Sequence, residues 1–191
     1  MQKSLQSGIL TKDRKAINTA IQVFKHPDGS PNYATLLSVP SDMRLSQMAN
    51  KDEKETDMLI TAALTMAMEA MNLTRPMTSG QIMDLSSEII ETAQEDNLAL
   101  EDVVLFLQKL TRGHYGPLYE SMDIPKFMSL FEVYREERHR AYHGTLYERN
   151  VQHAAIPLID RYSAKKDEAE KQRHRDAQIG HIIETQIKQT K

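Results

Sequence analysis

Cysteine and tryptophan are both absent from the 191 residues. The missing thiols exclude disulfides, thiolate metal sites and cysteine nucleophiles together, and they are compatible with a reducing compartment. Seven glycines and seven prolines are too few to punctuate many short strands. No stretch approaches the 18 or so consecutive apolar residues of a membrane span, and no basic segment followed by an apolar run resembles a leader. The expectation is a soluble, cytoplasmic protein with no membrane partner.

What is present favours helix. Hydrophobic residues make up 40% of the chain and charged residues 27%, enough for one core of ordinary domain size with length to spare. Eleven methionines against four phenylalanines suit a core filled by flexible side chains. The net charge of −3 is unevenly spread: residues 51–110 carry 4 basic and 12 acidic groups, whereas residues 1–50 carry 6 and 3. Duplex-binding domains show a stronger basic excess, so nucleic acid would have to be held by a local patch.

In chain order, residues 1–10 lack a pattern and are expected to be loose. Thr11 offers a cap to a helix whose face is Ile17, Ala20, Ile21 and Phe24, ending before the His26-Pro27-Asp28-Gly29 turn. Tyr33, Leu36 and Leu37 suggest a short helix, and Met43, Leu45 and Met48 another short turn. A helix begun at Asn50, with Glu53 as its capping-box partner, is apolar on several sides from Met58 to Met71 and is expected to be central. Thr78 and Gln81 make a second capping box, with Met77 and Ile82 as a staple, ahead of a helix ending near Asn97.

The most informative run comes next. Val103, Phe106, Leu107 and Leu110 recur at helical spacing, Glu101 and Asp102 lie in the first turn, and Gly113 is placed to stop the helix. Ala99 can supply no side-chain oxygen as a cap, so the start of this helix is only half specified. A further helix starts near Asp123, has Pro125 in its first turn, and carries Phe127, Phe131 and Tyr134 as its stripe before becoming the charged REERHR segment.

Within this run, LEDVVLFLQKLTRGHYGPLYESMDIPKFMSLFEVYREER, with RPMTSGQIMDLSSEII upstream, resembles an uncharacterised family of small helical proteins from gut bacteria of the Bacteroidetes group, their phages and mobile elements. The resemblance covers roughly residues 58–140. It is most specific at Gly113, Tyr115, Gly116, Tyr119, Asp123, Tyr134, Glu137 and Arg138. It implies no activity. It implies a phage or mobile-element setting, in which small helical accessory proteins of DNA metabolism, helicase loaders among them, are common.

The chemistry-bearing constellations each have two readings. Glu136, His139 and His143 sit on one helix face, as two imidazoles and a carboxylate approaching one metal ion would, or as an ordinary solvated face. Arg140 stands where the H-E-x-x-H metalloprotease pattern needs glutamate. Tyr115 and Tyr119 either anchor a partner or fold beneath the turn, and Arg135 and Arg138 either form a basic patch or pair with nearby glutamates. Residues 163–178 have no apolar stripe, after which Ile179, Ile182, Ile183 and Ile187 return at helical spacing. As a helix, that polar spacer would carry the isoleucines roughly 25 Å beyond the last core cluster, to meet a partner or a second copy.

The sequence thus predicts an all-α protein: a compact bundle of four to five helices over residues 11–143, near 52–72, 78–95, 100–112 and 124–143 for its main members. A charged helical C-terminal extension, 144–191, completes the chain. No grouping reads as catalytic and none implies a cofactor. The expected role is a non-enzymatic protein–protein interaction or accessory function using Tyr115, Tyr119, Arg135, Arg138, Ile179, Ile182, Ile183 and Ile187. The alternatives are direct nucleic-acid binding by the Arg/Tyr surface of 112–140 and a metal-dependent enzyme at Glu136, His139 and His143.

Overall fold

A computed structural model describes residues 2–116 and 121–144. Tyr119, the C-terminal isoleucines and nearly all of the expected extension lie outside the described residues. The chain divides into two units, Met1–His143 and Gly144–Lys191, and all but the last of the described residues belong to the first unit.

The fold is all-α. Among the described residues there are 8 α-helices and no strand. They are α1 (Gln2–Leu10), α2 (Arg14–Ile21), α3 (Tyr33–Leu37), α4 (Leu45–Lys51), α5 (Glu53–Met71), α6 (Ser79–Asp96), α7 (Leu100–Thr111) and α8 (124–144). The excess over the four to five expected lies in the N-terminal third. Residues 2–10 are not loose: Leu5 and Ile9 are each 1% exposed and join the common core. Their nine-residue helix is too short to hold alone, so its packing on α2 and α5 carries it.

Local chemistry sets the helix boundaries. Asp13, rather than Thr11, caps α2, its carboxylate accepting from the amides of Lys15 and Ala16 at 2.9 and 3.1 Å. Asp52, rather than Asn50, caps α5 by accepting from Glu55 N at 2.9 Å. In both places an aspartate two positions nearer the first apolar turn takes the role. Thr78 and Gln81 form the reciprocal box that their spacing predicts. Helix α7 has only the return half of one: Asp102 Oδ2 accepts from Ala99 N at 2.9 Å. Helices α5 and α6 end at Asn72 and Asn97 in the left-handed conformation (φ 54° and 53°), which asparagine tolerates better than most residues.

The central helix is α7, not α5. From Leu100 through Leu107 every residue of α7 is buried, because helices surround it on all sides. Helix α5 instead buries one stripe, Thr56, Leu59, Ile60, Ala63, Leu64, Ala67 and Met68, and leaves Met58 56% exposed. Phe106 is the hub of the core. Its ring centroid lies 4.9 Å from Phe131, 5.2 Å from Phe127 and 5.7 Å from both Tyr134 and Tyr115, so α8 docks on α7 through aromatic edges and faces.

Candidate functional site

Residues 113–116 at the end of α7 and 121–138 leading into α8 are held to the rest of the bundle by a set of specific contacts. Gly113, at φ +73°, closes α7 in a Schellman arrangement, its amide bonding to Leu110 O and that of His114 to Lys109 O, each at 3.0 Å. Asp123 caps α8 by accepting from Lys126 N at 2.9 Å. The Tyr134 hydroxyl and Arg138 Nε both donate to Asp102 Oδ1, at 3.1 and 3.0 Å, and Asp102 is fully buried. Arg138 also donates to the carbonyls of Asp96 and Asn97, binding α8 to the α6–α7 turn. Glu137 accepts from Lys109 and from the Tyr33 hydroxyl.

These contacts engage Arg135 and Arg138 with acids and carbonyls of the bundle, the paired one of the two readings their sequence allowed. Arg138 is 8% exposed, and every nitrogen of its guanidinium is engaged with Asp102 or a backbone carbonyl. Arg135 is clamped by Asp96, Glu95 and Glu132, and its hydrogen bond to Asp96 holds its pKa above the ordinary arginine value. Tyr115 packs under the turn, with the Lys109 ammonium 5.2 Å from its ring centroid. Burial pushes its phenol pKa up, and its hydroxyl has no hydrogen-bond partner among the described residues.

Sequence reasoning missed Arg44. It is 3% exposed and donates to the carbonyls of Leu37, Val39 and Asn97 at 2.9, 2.8 and 3.2 Å. The planar guanidinium offers several donors in a fixed fork, which suits three diverging carbonyls. Nothing in its flanking sequence announces the role, because it joins two nearby carbonyls, Leu37 and Val39, to that of Asn97, 53 positions away.

On α8, His139 and His143 are both exposed, and their Nε2 atoms lie 3.2 Å apart. Glu136 does not complete a metal site with them: among the described residues no group of three metal-ligating side chains occurs.

Two further arginines, Arg14 and Arg112, border a cleft between α1, α2, α5 and α7. Ile9, Ile17, Ala63, Met66, Ala67, Val104 and Leu107 form its apolar floor, and Arg14, Asn18, Gln108, Thr111 and Arg112 its rim. Its volume is about 200 Å³. Gln108 is fixed from both sides: its Nε2 donates to Asn18 Oδ1 at 3.0 Å and its Oε1 accepts from Lys25 Nζ. Burial, then the neighbouring Arg112, holds the Lys25 pKa below the usual lysine range. Arg14 and Arg112 have no carboxylate partner among the described residues, and no acidic side chain lines the cleft. Nearby Glu69 is paired with Lys12 at 3.0 Å. The site is therefore positive at its mouth and greasy at its base.

No family model, curated protein or solved structure matches this chain.

Proposed function

We propose that this protein is a non-enzymatic interaction protein that receives an acidic, apolar-tipped segment of a partner protein in the α1/α2/α5/α7 cleft. The observation that carries this reading is the pairing of an apolar floor with two arginines, Arg14 and Arg112, that have no carboxylate partner among the described residues. At about 200 Å³ the cleft is smaller than the roughly 300–1,000 Å³ of small-molecule and cofactor sites. It suits one or two anchoring side chains, and arginine beside an apolar pocket is a favoured interface composition. A partner leucine or phenylalanine would fill the floor while a glutamate or aspartate a helical turn away met the rim.

The resemblance of residues 58–140 supports placing this role among accessory factors of phage or mobile-element DNA metabolism, with helicase loading as an analogy only. Sequence spacing alone supports a second association element at Ile179, Ile182, Ile183 and Ile187. Direct nucleic-acid binding through the 112–140 surface loses two of its cations to the internal pairing of Arg135 and Arg138.

The test is selection of random peptides on the full chain, repeated with Arg14→Glu/Arg112→Glu. Enriched peptides should combine an acidic residue with a large apolar one three or four positions away, and the charge-reversed protein should lose them by tenfold or more. Enrichment of peptides without acidic residues, or peptides indifferent to the double substitution, would refute the reading. So would a labelled oligonucleotide that binds tightly and is lost in the same variant.

A further inference from the structure

We infer that His139 and His143 form a two-imidazole chelate for a divalent transition ion of the zinc, nickel or copper class, with water filling the remaining positions. This face of α8 is distinct from the cleft, and its chemistry does not depend on the proposed function. Both residues are exposed, four apart on a continuous helix, with Nε2 atoms 3.2 Å apart and ring centroids 4.4 Å apart. With metal–nitrogen bonds of about 2.0–2.1 Å, two ligands at a tetrahedral angle stand about 3.3 Å apart, and two at a right angle about 2.9 Å. The observed separation falls between these bite distances. The two Nε2 atoms share a hydrogen-bond contact, so a metal ion would take the place of the one proton between them with the nitrogens already at bite distance.

The surroundings favour a cation there. Arg135, one turn away, is neutralised by Asp96, Glu95 and Glu132. Arg140 turns its Nε to the backbone carbonyl of Glu136 at 3.3 Å. The Glu136 side chain has no partner among the described residues. It borders the same depression as His139, where it adds negative charge without being a third ligand. Imidazole is the ligand that zinc, nickel and copper share, whereas magnesium and calcium prefer oxygen, which sets the class of ion.

The experiment is titration of the full chain with zinc and with nickel against a competing chromophoric chelator, using wild type, His139→Ala, His143→Ala, the double variant and Glu136→Gln. Both histidines are solvent-exposed, and an unchanged circular dichroism spectrum and melting point confirm folding of each variant. The chain holds seven histidines, so the site is read by difference. The double variant should lose one equivalent of bound metal. Each single histidine variant should weaken that equivalent by tenfold or more, because a chelate of two ligands reverts to one. Glu136→Gln should change it by less than threefold, and magnesium should not compete. Equal stoichiometry and affinity in wild type and double variant would overturn the inference. A loss in Glu136→Gln as large as that of a histidine variant would overturn its two-ligand form.

Discussion

Replacing Arg138 by methionine tests the staple that joins α8 to the rest of the bundle. Methionine keeps the length and apolar stem of arginine, so the packing loss is small and the effect isolates the guanidinium. Asp102 is 0% exposed and accepts from Ala99 N, Tyr134 and Arg138 at 2.9, 3.1 and 3.0 Å. Without Arg138 the carboxylate stays buried with two neutral donors, and the Asp96 and Asn97 carbonyls each lose a donor. Breaking a buried pair from one side typically costs about 3–5 kcal/mol. A domain of ordinary stability has about 5–15 kcal/mol in total, so Arg138→Met should leave the fold marginal. Tyr134→Phe removes one hydrogen bond to a charged acceptor and should cost less, about 1.5–3 kcal/mol. Asp102→Asn combined with Arg138→Met should cost about 1–3 kcal/mol less than the sum of the single changes, since the two residues share one interaction. Urea unfolding followed by circular dichroism at 222 nm measures the wild type and all four variants, Asp102→Asn alone included. A cost under about 1 kcal/mol for Arg138→Met, or strict additivity in the double variant, would refute the account of the network.

Glu101 is 3% exposed, one of its oxygens has no hydrogen-bond partner among the described residues, and burial raises its pKa above 4.5. A raised acid binds its proton more tightly folded than unfolded, so its contribution is present below pH 4.5 and is lost as pH rises through the folded value. Glu101→Gln should therefore flatten the decline in stability between pH 4 and 7, gaining about 1 kcal/mol at the upper end, as read by denaturant titrations at both pH values. Tyr33, Tyr115 and Tyr134 have phenol pKa values raised above 10.0, chiefly by burial, so stability should fall once the pH passes about 10. Their ionisation, followed at 295 nm, should appear only with unfolding. Gly8→Ala should destabilise by about 1 kcal/mol despite the better helix propensity, because its Cβ would meet Ile17 Cγ1 at 3.1 Å and Ile17 N at 3.2 Å. Gly80→Ala, in open space within α6, should stabilise by about 0.5–1 kcal/mol, and thermal melts of the two variants should move in opposite directions. If the four late isoleucines self-associate, the full chain should be a dimer or larger in solution and a chain ended after Tyr162 a monomer; two monomers would dismiss self-association.

The class of fold and the principal helices were legible because their signals are local. The Thr78/Gln81 box, the glycine stop at Gly113, and the Phe127, Phe131, Tyr134 stripe each lie within one or two helical turns of sequence. The rest depended on contacts between distant segments. Helix α1 looked patternless because two residues, Leu5 and Ile9, carry most of its buried apolar surface. Helix α5 looked central because alanines and methionines surround it, yet Met58 is 56% exposed. Hydrophobic periodicity reports which residues can be buried, and the number of neighbouring helices decides which are. The cleft was invisible for the same reason. Its arginines stand 98 positions apart and acquire meaning only when α2 and the end of α7 meet.

The distribution of charge ties the staple and the cleft together. The segment from 51 to 110 is strongly acidic, yet Asp96, Glu95 and Asp102 are neutralised by Arg135 and Arg138 from α8. A residue such as Arg138 thus looks like a surface cation in sequence while serving the interior, and the tyrosine-rich motif around it is distinctive because it builds a joint. Arg14 and Arg112 lie at the opposite ends of short helices whose own acids are few or already engaged. Mutation of the joint should change stability first, and binding only through unfolding. Mutation of the cleft rim should change binding with stability nearly untouched, since exposed charges away from any partner contribute little to folding. If Arg14→Glu/Arg112→Glu lowered the unfolding free energy by more than about 1 kcal/mol, the two arginines would belong to the structural network and the division between joint and cleft would fail.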